Sequence, residues 1–112
     1  MSNELPLTPR VFLILCALED GPQHGYRLLS EVERLGRGKV SIGPASLYEA
    51  IQTLSRRGWI EPAPLPESVD QRRRYFRLTD TGHAMLRAEA NRLAHLVDDL
   101  RAAGLVSSVK GR

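Results

Sequence analysis

Apolar residues recur at helical spacing in four stretches of the chain, and this spacing predicts four helices. The first stretch opens with Thr8 and Pro9, a capping residue followed by a proline that suits the first helical turn, and it ends at Gly21. The second runs from His24 to Leu35. The apolar stripes of the first three helices are Val11, Phe12, Leu15 and Leu18, then Leu28, Leu29, Val32 and Leu35, then Leu47, Ile51 and Leu54.

The third helix opens at Gly43 and Pro44 and closes at Gly58. At about 100° per residue, its apolar stripe leaves a polar face on the opposite side. This face predicts an interaction surface. Its members are Ala45, Glu49, Gln52 and Arg56, with Tyr48 on its flank.

Two runs rich in strand-forming residues follow, Trp59 to Glu61 and Arg74 to Leu78, and they predict a hairpin with a long tip. Prolines 62, 64 and 66 separate them and exclude a central strand at those positions. Alternation within the second run predicts that Phe76 and Leu78 face the core. The alternating segment 39–42 also permits a very short strand.

The last helix begins at the capping sequence Thr79-Asp80-Thr81-Gly82 and ends at Gly104. Its apolar residues follow alternating steps of four and three, which is the seam of a helix that packs on another helix. We therefore predict a dimerisation helix over residues 80–104, after a first domain over residues 1–79 and before a disordered tail over 105–112. The seam residues are Leu86, Ala90, Leu93, Val97 and Leu100.

The order helix, helix, helix, hairpin, helix predicts a mainly α fold with a small β-hairpin, namely a winged helix-turn-helix followed by a C-terminal dimerisation helix. In this architecture the third helix is presented outward and the hairpin forms the wing. A helix of this kind lies in the major groove of DNA while its neighbour crosses the backbone.

Composition narrows the class of protein. With 112 residues the chain has room for one core, and its single cysteine fits a reducing, cytoplasmic compartment. No stretch approaches the length of a membrane span, and residues 1–10 lack the pattern of a signal peptide. The net charge is only +3, but residues 21–77 carry ten basic and six acidic side chains. That excess permits nucleic acid as a partner, but on charge alone an arginine-rich solvated surface is the better explanation.

Four segments together resemble the PadR family of bacterial transcriptional regulators: residues 21–26 (GPQHGY), 46–48 (SLY), 54–60 (LSRRGWI) and 73–82 (RRYFRLTDTG). The single terminal helix is similar to the short subgroup of that family. The resemblance implies a homodimeric winged-helix protein that binds double-stranded DNA at a palindromic operator, usually a repressor released by a small molecule. The prolines and the arginine run of the wing, and His83, depart from many members, which leaves operator and effector open.

The candidate DNA-binding residues differ in the contact expected of them. Tyr48 offers a hydroxyl to a phosphate, and the alternative is an aromatic ring that covers the edge of the core. The residues expected to read bases are Ala45, Ser46, Glu49 and Gln52. Those expected to contact phosphate are Arg72 and Arg73 at the wing tip, with Arg56 and His24 as weaker candidates. Each phosphate candidate has a structural alternative. The wing arginines protect an exposed strand edge by charge, Arg56 compensates the helix dipole, and His24 caps a helix.

Phe12, Leu15, Trp59 and Met85 are candidates for lining an aromatic effector site, with ordinary core packing as the alternative for all four. His83 and His95 have no ligand-spaced partners, so we expect no metal, no cofactor and no catalytic residue. Cys16 fits a small buried hydrophobe. Two other functions stay open, a protein–protein interaction module and an RNA-binding winged helix.

Overall fold

A computed structural model describes residues 5–64 and 74–107. Within these ranges the chain forms four α-helices and three short β-strands. The helices are α1 Pro9–Leu18, α2 Gly25–Leu35, α3 Pro44–Arg56 and α4 Asp80–Ala102, and the strands are β1 Gln23–His24, β2 Ile60–Pro62 and β3 Tyr75–Leu78.

Side chains cap three of the helices, and two of these caps were predicted from sequence. Thr8 Oγ1 accepts a hydrogen bond from the Val11 amide at the start of α1, at 3.2 Å. Thr79 Oγ1 accepts one from the Gly82 amide at the start of α4, at 3.0 Å. Each cap satisfies an amide that has no partner within its own helix. The third cap is His24, described with the interface below.

The predicted hairpin supplies two strands of a three-stranded antiparallel sheet with the order β1-β3-β2. Gln23 and His24 pair with Phe76 and Tyr75, a strand that the sequence analysis missed because two residues carry no alternation. Pro62 is accommodated because β2 lies at the edge of the sheet. The short strand permitted at 39–42 is wrong, since that segment forms bends and coil after the turn at Arg37 and Gly38.

The core lies where α1, α2 and α3 meet the inner face of the sheet. Leu47, Ile51 and Leu54 are buried, as the stripe of the third helix predicted. Phe76 and Leu78 are buried while Arg77 between them is exposed, which confirms the predicted strand alternation. Because α3 buries its apolar stripe here, its polar side faces solvent.

The start of α4 is packed directly on backbone. A β-carbon at position 82 would overlap the carbonyl oxygen of Trp59, so only glycine fits there. The same carbonyl accepts a hydrogen bond from the Thr79 amide at 3.0 Å. The Thr79 hydroxyl donates to the carbonyl of Gly58 at 2.5 Å. These contacts join α4 to the chain that leaves α3.

Glu89 is the one buried charged residue in the part of the chain that the structure describes, with 1% of its surface exposed. Its carboxylate accepts two hydrogen bonds from Arg92, at 2.6 and 2.9 Å, and one from the amide of Leu7, at 3.0 Å. These bonds attach the segment before α1 to α4. The hydrogen bond from Arg92 holds the pKa of Glu89 below its ordinary value, against the opposing effect of burial.

We expect Glu89→Gln to lower the free energy of unfolding at pH 7 by about 1 to 3 kcal/mol, because a charged acceptor with three donors is lost. The pKa of Glu89 is lower in the folded chain, so the carboxylate stabilises the fold above its ordinary pKa of about 4.5 and this contribution disappears as pH falls through the folded value. Urea unfolding at several pH values measures both effects.

Glu33→Gln is the matched control for this experiment, because Glu33 is exposed on α2. It should leave the unfolding free energy at pH 7 within about 0.5 kcal/mol of wild type. An equal loss in the two variants would contradict a specific role for the Glu89 carboxylate.

Candidate nucleic-acid interface

The exposed side of α3 is a continuous polar surface. The candidate base-reading residues on it, Ala45, Ser46, Glu49 and Gln52, are all exposed, and Arg56 is exposed at the C-terminal end of the helix. Arg56 Nη2 lies 3.4 Å from Thr53 Oγ1. We call these five residues, together with Tyr48, the α3 face. The structure brings them together on one side of one helix, and their roles toward DNA stay predictions.

Tyr48 lies at the edge of the α3 face, where α3 crosses the start of α2. Its side chain is 51% exposed, and its ring and hydroxyl rest over Gly25. The contact with Gly25 fits the interpretation of Tyr48 as an aromatic ring that covers the edge of the core, and its phosphate contact stays a prediction.

His24 is held by local contacts. Its Nδ1 accepts a hydrogen bond from the Arg27 amide at 3.3 Å, which caps α2. Its ring meets Tyr75 of β3 edge-on at 5.2 Å and stacks near Tyr26 at 6.4 Å. The capping alternative is thus present in the structure, while a phosphate contact by His24 stays a prediction.

Several arginines of the described chain are paired with other side chains of the protein. Arg34 and Arg27 lie 2.8 and 3.7 Å from Glu31, and the hydrogen bond from Arg34 lowers the pKa of that carboxyl group. Arg77 pairs with Glu61 at 2.9 Å. The guanidinium of Arg57 lies 5.2 Å from the centre of the Trp59 ring. These pairs neutralise part of the positive charge counted in the sequence.

The wing is described only at its base. Arg74, just before β3, is exposed. Arg72 and Arg73, the predicted phosphate contacts, lie outside the described residues.

The predicted seam on α4 divides into two parts. Leu86 is buried in the protomer's own core, Leu93 and Leu100 are half-buried, and Ala90 and Val97 are exposed. Leu96 is 44% exposed and Leu105 is 74% exposed. The seam analysis omitted both, because Leu96 lies to one side of the heptad positions and Leu105 lies beyond the helix. We call the apolar surface of Leu93, Leu96, Val97 and Leu100 the α4 face.

Two of the four candidate effector residues lie in the core. Leu15 has no exposed surface and Trp59 is 3% exposed, which favours the packing alternative for both. Phe12 and Met85 are partly buried at the margin of the core. Phe12 borders a groove of about 340 Å³ between α1 and α4, which is also lined by Cys16, His83, Leu86 and Ala90.

Burial raises the pKa of the Cys16 thiol, and the nearby Glu19 carboxylate raises it further. The thiol is therefore protonated near neutral pH and packs as an apolar group. Within residues 5–64 and 74–107, no three metal-ligating side chains converge. Over the same residues, none of the helices combines the length and apolar character that crossing a bilayer needs.

Two residues of this surface were missed by the sequence analysis. Tyr26 is 75% exposed beside His24, and it lies opposite the apolar stripe of α2, so the helical pattern contained the signal. Gly25 is buried against Tyr48. No local pattern signals that contact, because it joins two helices distant in sequence.

Comparison with known proteins agrees with this geometry. The family described as "Transcriptional regulator PadR-like family" matches residues 14–88. An uncharacterised 37.1 kDa protein in transposon TN4556 of Streptomyces fradiae is 39% identical over 84 residues, which cover 75% of this chain and 23% of that protein. The chain thus spans about a quarter of that relative.

Two solved structures show the same fold. A PadR-like transcriptional regulator from Bacillus cereus superposes with a TM-score of 0.72 at 18% identity, over 87% of this chain and 92% of that one. Bacillus subtilis PadR in complex with operator DNA gives a TM-score of 0.60 at 25% identity, over 70% of this chain and 44% of that one.

The outward third helix, the small three-stranded sheet and the long last helix define a winged-helix fold. The chain belongs to the PadR family. Its class is therefore that of transcriptional regulators and not of enzymes, and the resemblance recognised in the four sequence segments is confirmed.

Proposed function

We propose that this chain is a DNA-binding repressor that acts as a homodimer on a palindromic operator and is released by a small molecule. The observation that carries the DNA-binding part is the α3 face, six exposed side chains on a helix whose other side is fully packed. Such a helix can enter the major groove without disturbing the core. A dimer bound over a promoter excludes other proteins from it, which is the basis for proposing repression. Because operator DNA lies in the nucleoid, the proposal also places the protein in the bacterial cytoplasm.

The chemistry of the α3 face suits base recognition. A glutamine such as Gln52 pairs with adenine through two hydrogen bonds, and Glu49 can accept one from cytosine. Ser46 can donate or accept, and the methyl group of Ala45 can contact thymine. Arg56, at the C-terminal end, is placed for phosphate.

The wing supplies the second contact in this proposal. Its base is held to the start of α2 by the pairing of β1 with β3. Arg74 is exposed there, and Arg72 and Arg73 precede it directly in the sequence. Arginines in this position bind phosphates or a narrow minor groove and add affinity that depends on salt.

Substitutions in the two elements should weaken DNA binding in different ways. Gln52→Ala removes a base contact and should cost about 1 to 3 kcal/mol on the operator while leaving non-specific duplex binding nearly unchanged. Arg72→Ala with Arg73→Ala should weaken both. It should also reduce the slope of log K against log salt by about one unit per lost phosphate contact. Fluorescence anisotropy over a salt series measures these quantities.

Arg37→Ala is the control, because Arg37 is an exposed arginine in the turn after α2 and lies outside the proposed contacts. An unchanged salt slope in the double arginine variant would leave edge protection as the role of the wing arginines. Equal binding to duplex RNA would favour the RNA-binding alternative. If the protein binds neither duplex DNA nor duplex RNA at any salt concentration, the protein–protein interaction module is favoured.

The homodimer in this proposal forms through the α4 face. Helix α4 has 23 residues, about 35 Å, and only its N-terminal part packs on the rest of the protomer. Leu96 and Val97 remain 44% and 37% exposed. A second copy of the same helix is a natural partner for such a surface, because the two chains present the same apolar residues. The two α3 helices would then read half-sites spaced by about 10 to 10.5 base pairs or a multiple of this.

We expect Val97→Asp to give a folded monomer with much weaker operator binding. Val97 is exposed in the protomer, so the new carboxylate stays hydrated there, but dimerisation would bury it without a partner. Light scattering at micromolar concentration measures the mass, and circular dichroism reports on the fold. His95→Asp, on the opposite side of α4, should stay dimeric. A wild-type protein that is monomeric at this concentration would refute the dimer.

Effector control in this proposal uses the groove between α1 and α4. Its volume of about 340 Å³ lies at the small end of ligand pockets, and Phe12 offers an aromatic wall. A flat aromatic molecule that binds there would contact the helix that carries the α4 face. It would release DNA only by favouring a spacing of the two α3 helices that does not match the operator.

Titration with a panel of aromatic acids should therefore change the fluorescence of Trp59, the single tryptophan of the chain, and lower operator affinity in parallel. Ala90→Leu should weaken the ligand by narrowing the groove, while His95→Leu, away from the groove, should not. Compounds that bind without changing DNA affinity would contradict effector control, because coupling between two ligands is reciprocal.

A further inference from the structure

The backbone conformation at position 25 does not require a glycine. The positive-φ glycines of the described chain are 21, 38, 58 and 104, and Gly25 is not among them. It occupies the first position of α2, where a residue with a β-carbon normally costs nothing. The reason for a glycine here must therefore lie in its neighbour.

That neighbour is the end of the Tyr48 side chain. A β-carbon at position 25 would lie 3.0 Å from Tyr48 Oη, 3.4 Å from Cζ and 3.7 Å from Cε1. The first distance is tighter than most real β-carbon contacts, so the hydroxyl must shift by a few tenths of an ångström, and the other two are ordinary packing distances. The hydroxyl group alone is thus in conflict with a side chain at position 25.

Tyr48 can relieve this conflict by moving outward, because its side chain is half exposed. The core residues of α3 need not follow it. An added methyl group at position 25 therefore costs the fold little, but it displaces the hydroxyl by a few tenths of an ångström or more. A hydrogen bond from a hydroxyl to a charged oxygen is short, about 2.5 to 2.7 Å, and loses strength with such a displacement.

The segment that contains Gly25 also holds the wing. Gln23 and His24 pair with β3, and the His24 ring contacts Tyr75. Residues 23–25 thus contact both groups. Gly25 lies against the Tyr48 hydroxyl, and Gln23 and His24 pair with the base of the wing. A shift of the Tyr48 hydroxyl away from Gly25 therefore also changes its distance from the base of the wing.

We propose that Gly25 is a positioning residue for DNA binding. Because it has no β-carbon, the Tyr48 hydroxyl can lie close to the start of α2, in the position from which it donates a hydrogen bond to a DNA phosphate beside the wing. The inference rests on the proposed function and extends it to a residue that makes no DNA contact itself. Phosphate contacts orient a protein on the duplex and carry no sequence information. Displacement of the Tyr48 hydroxyl by a side chain at position 25 should therefore lower the affinity for operator and for non-specific DNA by a similar factor.

A double-mutant cycle tests the proposal by rescue. Tyr48→Phe and Gly25→Ala should each weaken operator binding by about tenfold, since each removes or misplaces one charge-assisted hydrogen bond. The variant with both changes should also be about tenfold weaker than wild type, and not a hundredfold. With phenylalanine at position 48 the nearest atom to the new methyl group is Cζ, at an ordinary distance.

Tyr26→Phe is the matched control, because Tyr26 is an exposed tyrosine beside His24 and its hydroxyl has no role in the proposed phosphate contact. Its effect should multiply with that of Gly25→Ala. Thermal unfolding of every variant reports on the fold. If Gly25→Ala proves unstable, the double variant decides, and it should fold and bind as Tyr48→Phe alone does.

A hundredfold loss in the double variant, or full binding by Gly25→Ala with tyrosine at position 48, would overturn the positioning role. Both outcomes are read against a wild-type protein that binds duplex DNA with a salt-dependent affinity. A wild-type protein that binds no duplex instead rejects the proposed function itself, so the two failures are distinguishable.

Discussion

The contact between the start of α4 and the backbone of Trp59 is the constraint on which the arrangement of the molecule depends. Gly82 lies against the Trp59 carbonyl, which also accepts the Thr79 amide, and the Thr79 hydroxyl binds the carbonyl of Gly58. Three elements meet at this point, namely the end of α3, the strand β2 and the last helix. Side-chain packing alone would permit several directions for α4, whereas a backbone-to-backbone contact permits few.

Sequence patterns predicted much of the fold because its helices are strongly amphipathic and capped. The stripe of α3 is buried as predicted, and the caps at Thr8 and Thr79 form. The polar face of α3 follows from the same pattern, since a helix with one buried stripe exposes the opposite side. Local information was sufficient for these features because the interactions that determine them lie within one helix.

Most of the features that sequence reasoning missed depend on residues far apart in the chain. Glu89 binds the Leu7 amide across 82 positions, and Gln23 pairs with Phe76. Glu89 appears in the sequence as one more helical acid, and nothing local marks it as buried. The same holds for Gly25 and Tyr48. The domain division at residues 79 and 104 and the wing-tip arginines stay predictions, the latter because they fall outside the described residues.

The length of α4 gives its attachment point a mechanical meaning. Gly82 and Val97 are 15 positions apart, which in a helix is about 22 Å. A stiff rod of that length, clamped at one end, converts a turn of about 5° into a displacement of about 2 Å at the other. In a proposed dimer joined near Val97, small changes of angle between the two rods would therefore appear as changes in the distance between the two α3 helices. The rigidity of the contact at Gly82 then determines how much of an angular change near Val97 reaches the distance between the two α3 helices.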